Sequence, residues 1–90
     1  MSDPFDKLRH LLDNEYSWPE IYRFKFIAAP SLIQDVVDAV EKKAVVDKVS
    51  ETASRTGKYI SVSIHVKIDS TETVIDIYKE VGQIKGVISL

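Results

Sequence analysis

The sequence predicts an α+β sandwich: one antiparallel sheet of four strands with two helices packed on the same face, preceded by a short N-terminal helix. Three observations carry this. Ile60, Val62, Ile64, Val66 and Ile68 alternate strictly with Ser61, Ser63, His65 and Lys67, which marks a strand with one buried and one polar face. Two segments, 31–43 and 70–82, instead place apolar residues at helical spacing with charges between them. The segments follow one another in the order β-α-β-β-α-β once the first twenty residues are set aside.

Taken in order, Asp3 before Pro4 reads as a helix start. The carboxylate accepts from free backbone N–H groups, and proline occupies a first-turn position that needs no donor. Phe5, Leu8 and Leu12 share one face, and the helix should stop near Asp13-Asn14. Trp18-Pro19 lies in a connector that pins this arm to the core. Alternation begins at Ile21 and runs to Ala28, with Tyr22, Phe24, Phe26 and Ala28 inward and Ile21, Arg23, Lys25 and Ile27 outward.

Pro30 ends that strand, and Ser31 with Gln34 has capping-box spacing. The helix it opens carries Leu32, Ile33, Val36, Val37 and Val40 on one face and runs to about Lys43, with Asp38 and Lys42 spaced for an i,i+4 pair. Val45 to Arg55 is β-branched yet interrupted by Asp47, Lys48 and Glu51, as befits an edge strand defended by charge. Thr56-Gly57-Lys58 supplies the turn into the third strand. Asp69 with Glu72 predicts the next cap, Val74, Ile77, Tyr78 and Val81 form the stripe, Gly82 closes the helix, and Gly86 to Leu90 is the last strand. The order is that of the ferredoxin-like fold, read as a single domain over 1–90 with 1–20 as arm and connector and 21–90 as core.

Composition excludes several functions. Ninety residues are enough for one core that buries roughly 60 to 65% of the unfolded surface. The absence of cysteine removes disulfide frameworks, thiol catalysis and cysteine-ligated metals. Twelve Lys+Arg against fourteen Asp+Glu leave a formal charge of −2, unlike a strongly electrostatic nucleic-acid binder. No apolar run has the length of a membrane span, so the expected setting is the cytoplasm, without membrane contact.

Helices on one side leave the other side of the sheet bare, and the alternation assigns residues to it. Arg23, Lys25 and Ile27 from the first strand and Tyr59, Ser61, Ser63, His65 and Lys67 from the third would form one contiguous basic patch. Arg23, Lys25, Tyr59, Ser61, Ser63, His65 and Lys67 are the candidate binding residues. Catalysis by Ser63 with His65 lacks an orienting acid, oxyanion donors and shelter from water. No ligand spacing joins His10 and His65 into a metal site, and no cofactor is expected. The turn Ala28-Ala29-Pro30-Ser31 lacks the arginine of a phosphate-gripping loop, and its proline removes a backbone donor. RNA recognition on this topology stacks bases on strand aromatics. Here only Tyr59 offers a ring, so weak RNA binding through the basic face is the alternative reading.

The stretch Ser54-Arg55-Thr56-Gly57-Lys58-Tyr59-Ile60-Ser61-Val62-Ser63 resembles the turn and third strand of the YbeD-like family of small bacterial proteins. Phe24-Lys25-Phe26-Ile27, Ile77-Tyr78 and the ending from Val87 to Leu90 extend the likeness over about Tyr22 to Leu90. The resemblance implies a fold similar to the ACT regulatory domain and a noncatalytic module. Its partner would be a protein or a small effector, with a homodimer allowed. ACT domains use a glycine after the first strand to admit an effector; Ala28 and Ala29 stand there in this chain, and a Cβ blocks that approach.

Overall fold

The computed structural model describes residues 3–90. Its elements run α1 (Asp6–Glu15), β1 (Glu20–Ala28), a 3-10 turn (Pro30–Leu32), α2 (Ile33–Glu41), β2 (Val45–Ala53), β3 (Ile60–Ile68), α3 (Thr71–Gly82) and β4 (Ile88–Ser89). The sheet has the order β2-β3-β1-β4 with every neighbouring pair antiparallel, the ferredoxin-like arrangement. The alternation along β1 and β3 holds. Phe24, Phe26, Ala28, Val62, Ile64, Val66 and Ile68 are buried beneath the helices, together with Val36 and Val40 of α2 and Val74, Ile77 and Val81 of α3. β2 is an edge strand, as its charges predict, and the hairpin to β3 turns on Gly57, whose φ of 76° favours glycine.

Helix starts depart from the sequence reading, because caps depend on one residue's backbone angles. Asp3 Oδ1 does accept a free backbone N–H, from Phe5 at 2.8 Å, but α1 begins at Asp6 and extends to Glu15. Ser31 sits inside the 3-10 turn, so the Ser31–Gln34 box does not form and α2 starts at Ile33 with no side-chain cap. α2 also stops at Glu41, short of Lys43. At α3 the cap is Ser70, one residue beyond Asp69: extended backbone at Ser70 lets its Oγ accept from the Thr73 N–H. β4 keeps only Ile88 and Ser89 of the predicted Gly86–Leu90. Lys42 pairs with Glu80 on α3 at 3.9 Å rather than with Asp38, whose carboxylate accepts from Gln34 Nε2.

α1 lies along α3. Arg9 on α1 is a three-way hub, its Nε donating to Glu72 at 2.6 Å and its terminal nitrogens reaching Asp6 and Asp3 at 3.0 and 3.3 Å. Near the other end of the contact, the Trp18 indole N–H donates to Thr71 Oγ1 at 2.8 Å, and the Thr71 hydroxyl donates to Asp13 at 2.6 Å. Lys79 stands over the Phe5 ring. Thr71, Glu72 and Lys79 therefore define a second face of α3, turned toward α1, and Ile75 falls on it by helical spacing. That accounts for its complete burial outside the sheet-facing stripe. Leu12 enters the main core from the other side of this contact.

Candidate functional site

The face of the sheet opposite the helices is built by register. In an antiparallel pair, directly opposed residues share a side. Arg23 opposes His65, Lys25 opposes Ser63, Ile27 opposes Ser61 and Ile21 opposes Lys67. The structure thus brings six of the seven predicted residues together on β1 and β3. Arg23, Lys25 and Lys67 are exposed; Ser61, Ser63 and His65 are half-buried between their neighbours. Tyr59 departs from the expectation, since it lies just outside β3. Its backbone N–H donates to Ser54 Oγ and its carbonyl accepts from the Ser54 N–H, which makes it the end of the hairpin turn, with an exposed ring.

The sequence reading missed what β2 adds to this face, above all one cation. Lys48 opposes His65 from β2, completing a row Lys48–His65–Arg23 across three strands. Its place is set by a bulge. Val45 opposes Lys67 and Val46 opposes Val66, but after an extra residue, Asp47, the pairing resumes with Lys48 opposite His65 and Glu51 opposite Val62. Unbroken alternation from Val45 would have put Asp47 and Glu51 on the basic side. The bulge instead places Lys48, Ser50 and Thr52 there and turns Glu51 to the helix side. No sequence signal announces this, because either parity leaves charges on an edge strand.

The result is a face with four formal cations, Arg23, Lys25, Lys48 and Lys67, and no carboxylate at its paired strand positions. Among the described residues none of the four makes an ion pair; the ion pairs belong to Arg9, Lys42 and Lys43. Glu51, the carboxylate in the paired register of β2, lies on the other side, so the formal charge of the paired positions on this face is wholly positive. Exposed apolar side chains border the cations. Ile21 and Val45 flank Lys67 at one end, and Ile88 opposes Ile27 at the other.

Other chemistry is sparse. Ser63 and His65 stand two residues apart on one strand, about 6.6 Å along its backbone, and no hydrogen bond joins their side chains among the described residues. No group of metal-ligating side chains converges among the described residues. A shallow groove between α2 and α3 is lined by Asp35, Asp38, Lys42 and Glu80, whose carboxylates face solvent or pair with the nearby lysines. On the helix side, Tyr22 and Tyr78 share a hydroxyl hydrogen bond at 3.1 Å within an aromatic row that includes Tyr16, Trp18 and Phe24. Burial, reinforced by that hydrogen bond, pushes the Tyr78 phenol well above its ordinary range. These are packing features.

Fold and face together define a small ferredoxin-like sandwich with one bare, basic sheet surface. Residues 13–90 match the family described as a protein of unknown function (DUF493), and the chain belongs to that family. It is 35% identical over 80 residues to UPF0250 protein YE3006 of Yersinia enterocolitica, covering 88% of this chain and 90% of that protein. It is 37% identical over 79 residues to UPF0250 protein SG0794 of Sodalis glossinidius, covering 87% and 88%. This is the YbeD-like family that the hairpin and third strand resemble. Among solved structures, protein HP0495 from H. pylori superposes with a TM-score of 0.71 at 14% identity, covering 100% of this chain and 97% of that one, a likeness of fold. No helix among the described residues is long and apolar enough to cross a membrane.

Proposed function

We propose that this protein is a noncatalytic, ACT-like binding or regulatory module that works as a single domain in the cytoplasm, contacting a protein partner or a small effector through its bare sheet face. The observation that carries the reading is the set of unpaired cations on that face, Arg23, Lys25, Lys48 and Lys67, with no carboxylate among them. Exposed cations in this number repel one another and are neutralised by a complementary partner. Tyr59, Ser61, Ser63 and His65 supply hydrogen-bonding groups beside them. The three lysines and the arginine contribute little to folding, because their side chains are exposed and make no ion pair.

Function and stability should therefore separate. Replacing Arg23, Lys25 and Lys67 with alanine is expected to abolish capture of a partner from native lysate while costing at most about 1.5 kcal/mol of stability in a urea titration, since surface substitutions of this kind cost within about 0.5 kcal/mol each. Capture that persists in the folded triple variant would remove the face from the proposal.

A further inference from the structure

We propose that the occupant of the bare sheet face is an acidic amphipathic helix of a partner protein, laid along β1 and β3 with its carboxylates on the cations and its apolar ends on Ile21/Val45 and Ile27/Ile88. This rests on the reading of the face as the binding surface and specifies what it binds. The charge argument is complementarity: Arg23, Lys25, Lys48 and the His65 imidazole occupy the middle of the face with Lys67 toward one end, none of the four cations makes an ion pair among the described residues, and the register after the bulge turns Glu51 to the other side. Apolar side chains lie at both ends, Val45 exposed by 68%, Ile21 by 45% and Ile88 by 57%. A partner satisfying only charge would leave these ends in water.

Spacing selects the helix. Ile21 and Ile27 are about 20 Å apart along the strand, the length of a helix of about 13 residues. Arg23 and Lys25 point the same way about 6.6 Å apart, close to the ~6 Å rise between carboxylates at i and i+4. Ser61 and Ser63, at the centre, are small enough to let a helix approach. A single-stranded nucleic acid fits less well: it needs rings to stack on, and Tyr59, beyond the end of β3, is the sole aromatic beside this face. A second copy fits less well too. Its carboxylates Asp35, Asp38 and Asp76 lie on exposed helix surfaces on the opposite side of the sandwich, so basic-to-acidic contact would run head to tail and need not close.

The test uses the full chain, isotope-labelled for NMR, and a synthetic helical peptide of about 13 residues with glutamates at i,i+4 in its middle turns and leucines in its end turns. Backbone amides of Arg23, Lys25, Ser63, His65 and Lys67 are expected to shift. The affinity should fall about tenfold or more when the glutamates become glutamine, when salt rises from about 0.05 to about 0.5 M, or when Lys48→Glu is introduced. Replacing the leucines with serine should weaken it as well, whereas Glu51→Lys, on the opposite side of β2, should not. An oligouridylate or anionic phosphatidylglycerol vesicles that move the same amides more strongly than the peptide would overturn the proposal in favour of those ligands, and no shift with the peptide would overturn it outright. The outcomes separate the two claims. No shift combined with lost partner capture in the Arg23/Lys25/Lys67 variant rejects the acidic helix and keeps the face; no shift with capture intact rejects both.

Discussion

Leu12→Ala tests whether α1 is an integral part of the core or an arm resting on it. Leu12 is the one fully buried residue of α1, at 1% exposure, and packs into the main hydrophobic cluster. The substitution removes three carbons, worth about 0.8 kcal/mol each, or about 2.4 kcal/mol of transfer free energy. The cavity left behind raises the cost to about 3 to 5 kcal/mol if the site cannot collapse. Against a total stability of about 5 to 13 kcal/mol for a chain of this length, that is a large fraction. It should lower the melting temperature by at least about 12 °C, at roughly 4 to 8 °C per kcal/mol. Circular dichroism melts at two wavelengths and a urea titration of the same variant provide the assay, with an unchanged m value showing that the unfolding unit is the same. If the midpoint moved by less than about 4 °C, local release of α1 would cap the penalty, and the cooperative packing argued from Leu12 and Ile75 would be wrong.

Three further outcomes follow from the same geometry. Thr71→Val keeps the shape but strips the partner from the Trp18 indole N–H and from Asp13; it should cost about 1 to 3 kcal/mol and shift Trp18 fluorescence toward the red, as read by urea melts followed by emission. Tyr78, whose folded pKa is raised by burial, contributes stability that is complete below the unfolded phenol value of about 10 and is lost as pH climbs from there toward the folded value. In alkaline titration monitored by phenolate absorbance, Tyr78 should therefore ionise well above the ordinary phenol range and together with loss of structure, and earlier in a Tyr22→Phe variant. Deleting Asp47 removes the extra residue and makes the β2–β3 pairing regular from Val46 to Lys48, so the fold should survive with an unchanged far-ultraviolet spectrum. The price is a flatter edge, and light scattering should show more self-association than the parent chain.

Much of the architecture was legible because the signals are local and periodic. The two-sidedness of β3 required only that serine, histidine and lysine alternate with isoleucine and valine, and the fold buries Val62, Ile64, Val66 and Ile68 while leaving Lys67 exposed. β2 could be recognised as an edge from Asp47, Lys48 and Glu51. The misreadings share a different character. Asp69 and Ser70 are both competent caps, and the choice between them was made by backbone angles at Ser70. Ser31 and Gln34 have the spacing of a box that the 3-10 turn at Pro30 prevents. Lys42 found Glu80 on another helix rather than Asp38 on its own. Ile75 lay outside the stripe that faces the sheet; its partner is α1, and the apolar residues Leu8 and Leu12 were the only hint that a second stripe on α3 was needed.

The sequence alone determined the element types, their order, the inner faces of β1 and β3, and a set of outward-facing cations on them, because side-chain alternation and helical spacing are properties of short stretches of chain. Which of those cations meet, that Lys48 joins them, and that Glu51 stays off the surface were decided by strand pairing. Pairing depends on the register between segments far apart in the chain and on a one-residue bulge, and a shift of one residue reverses every side chain it governs. The physical identity of the face is therefore a property of the assembled sheet.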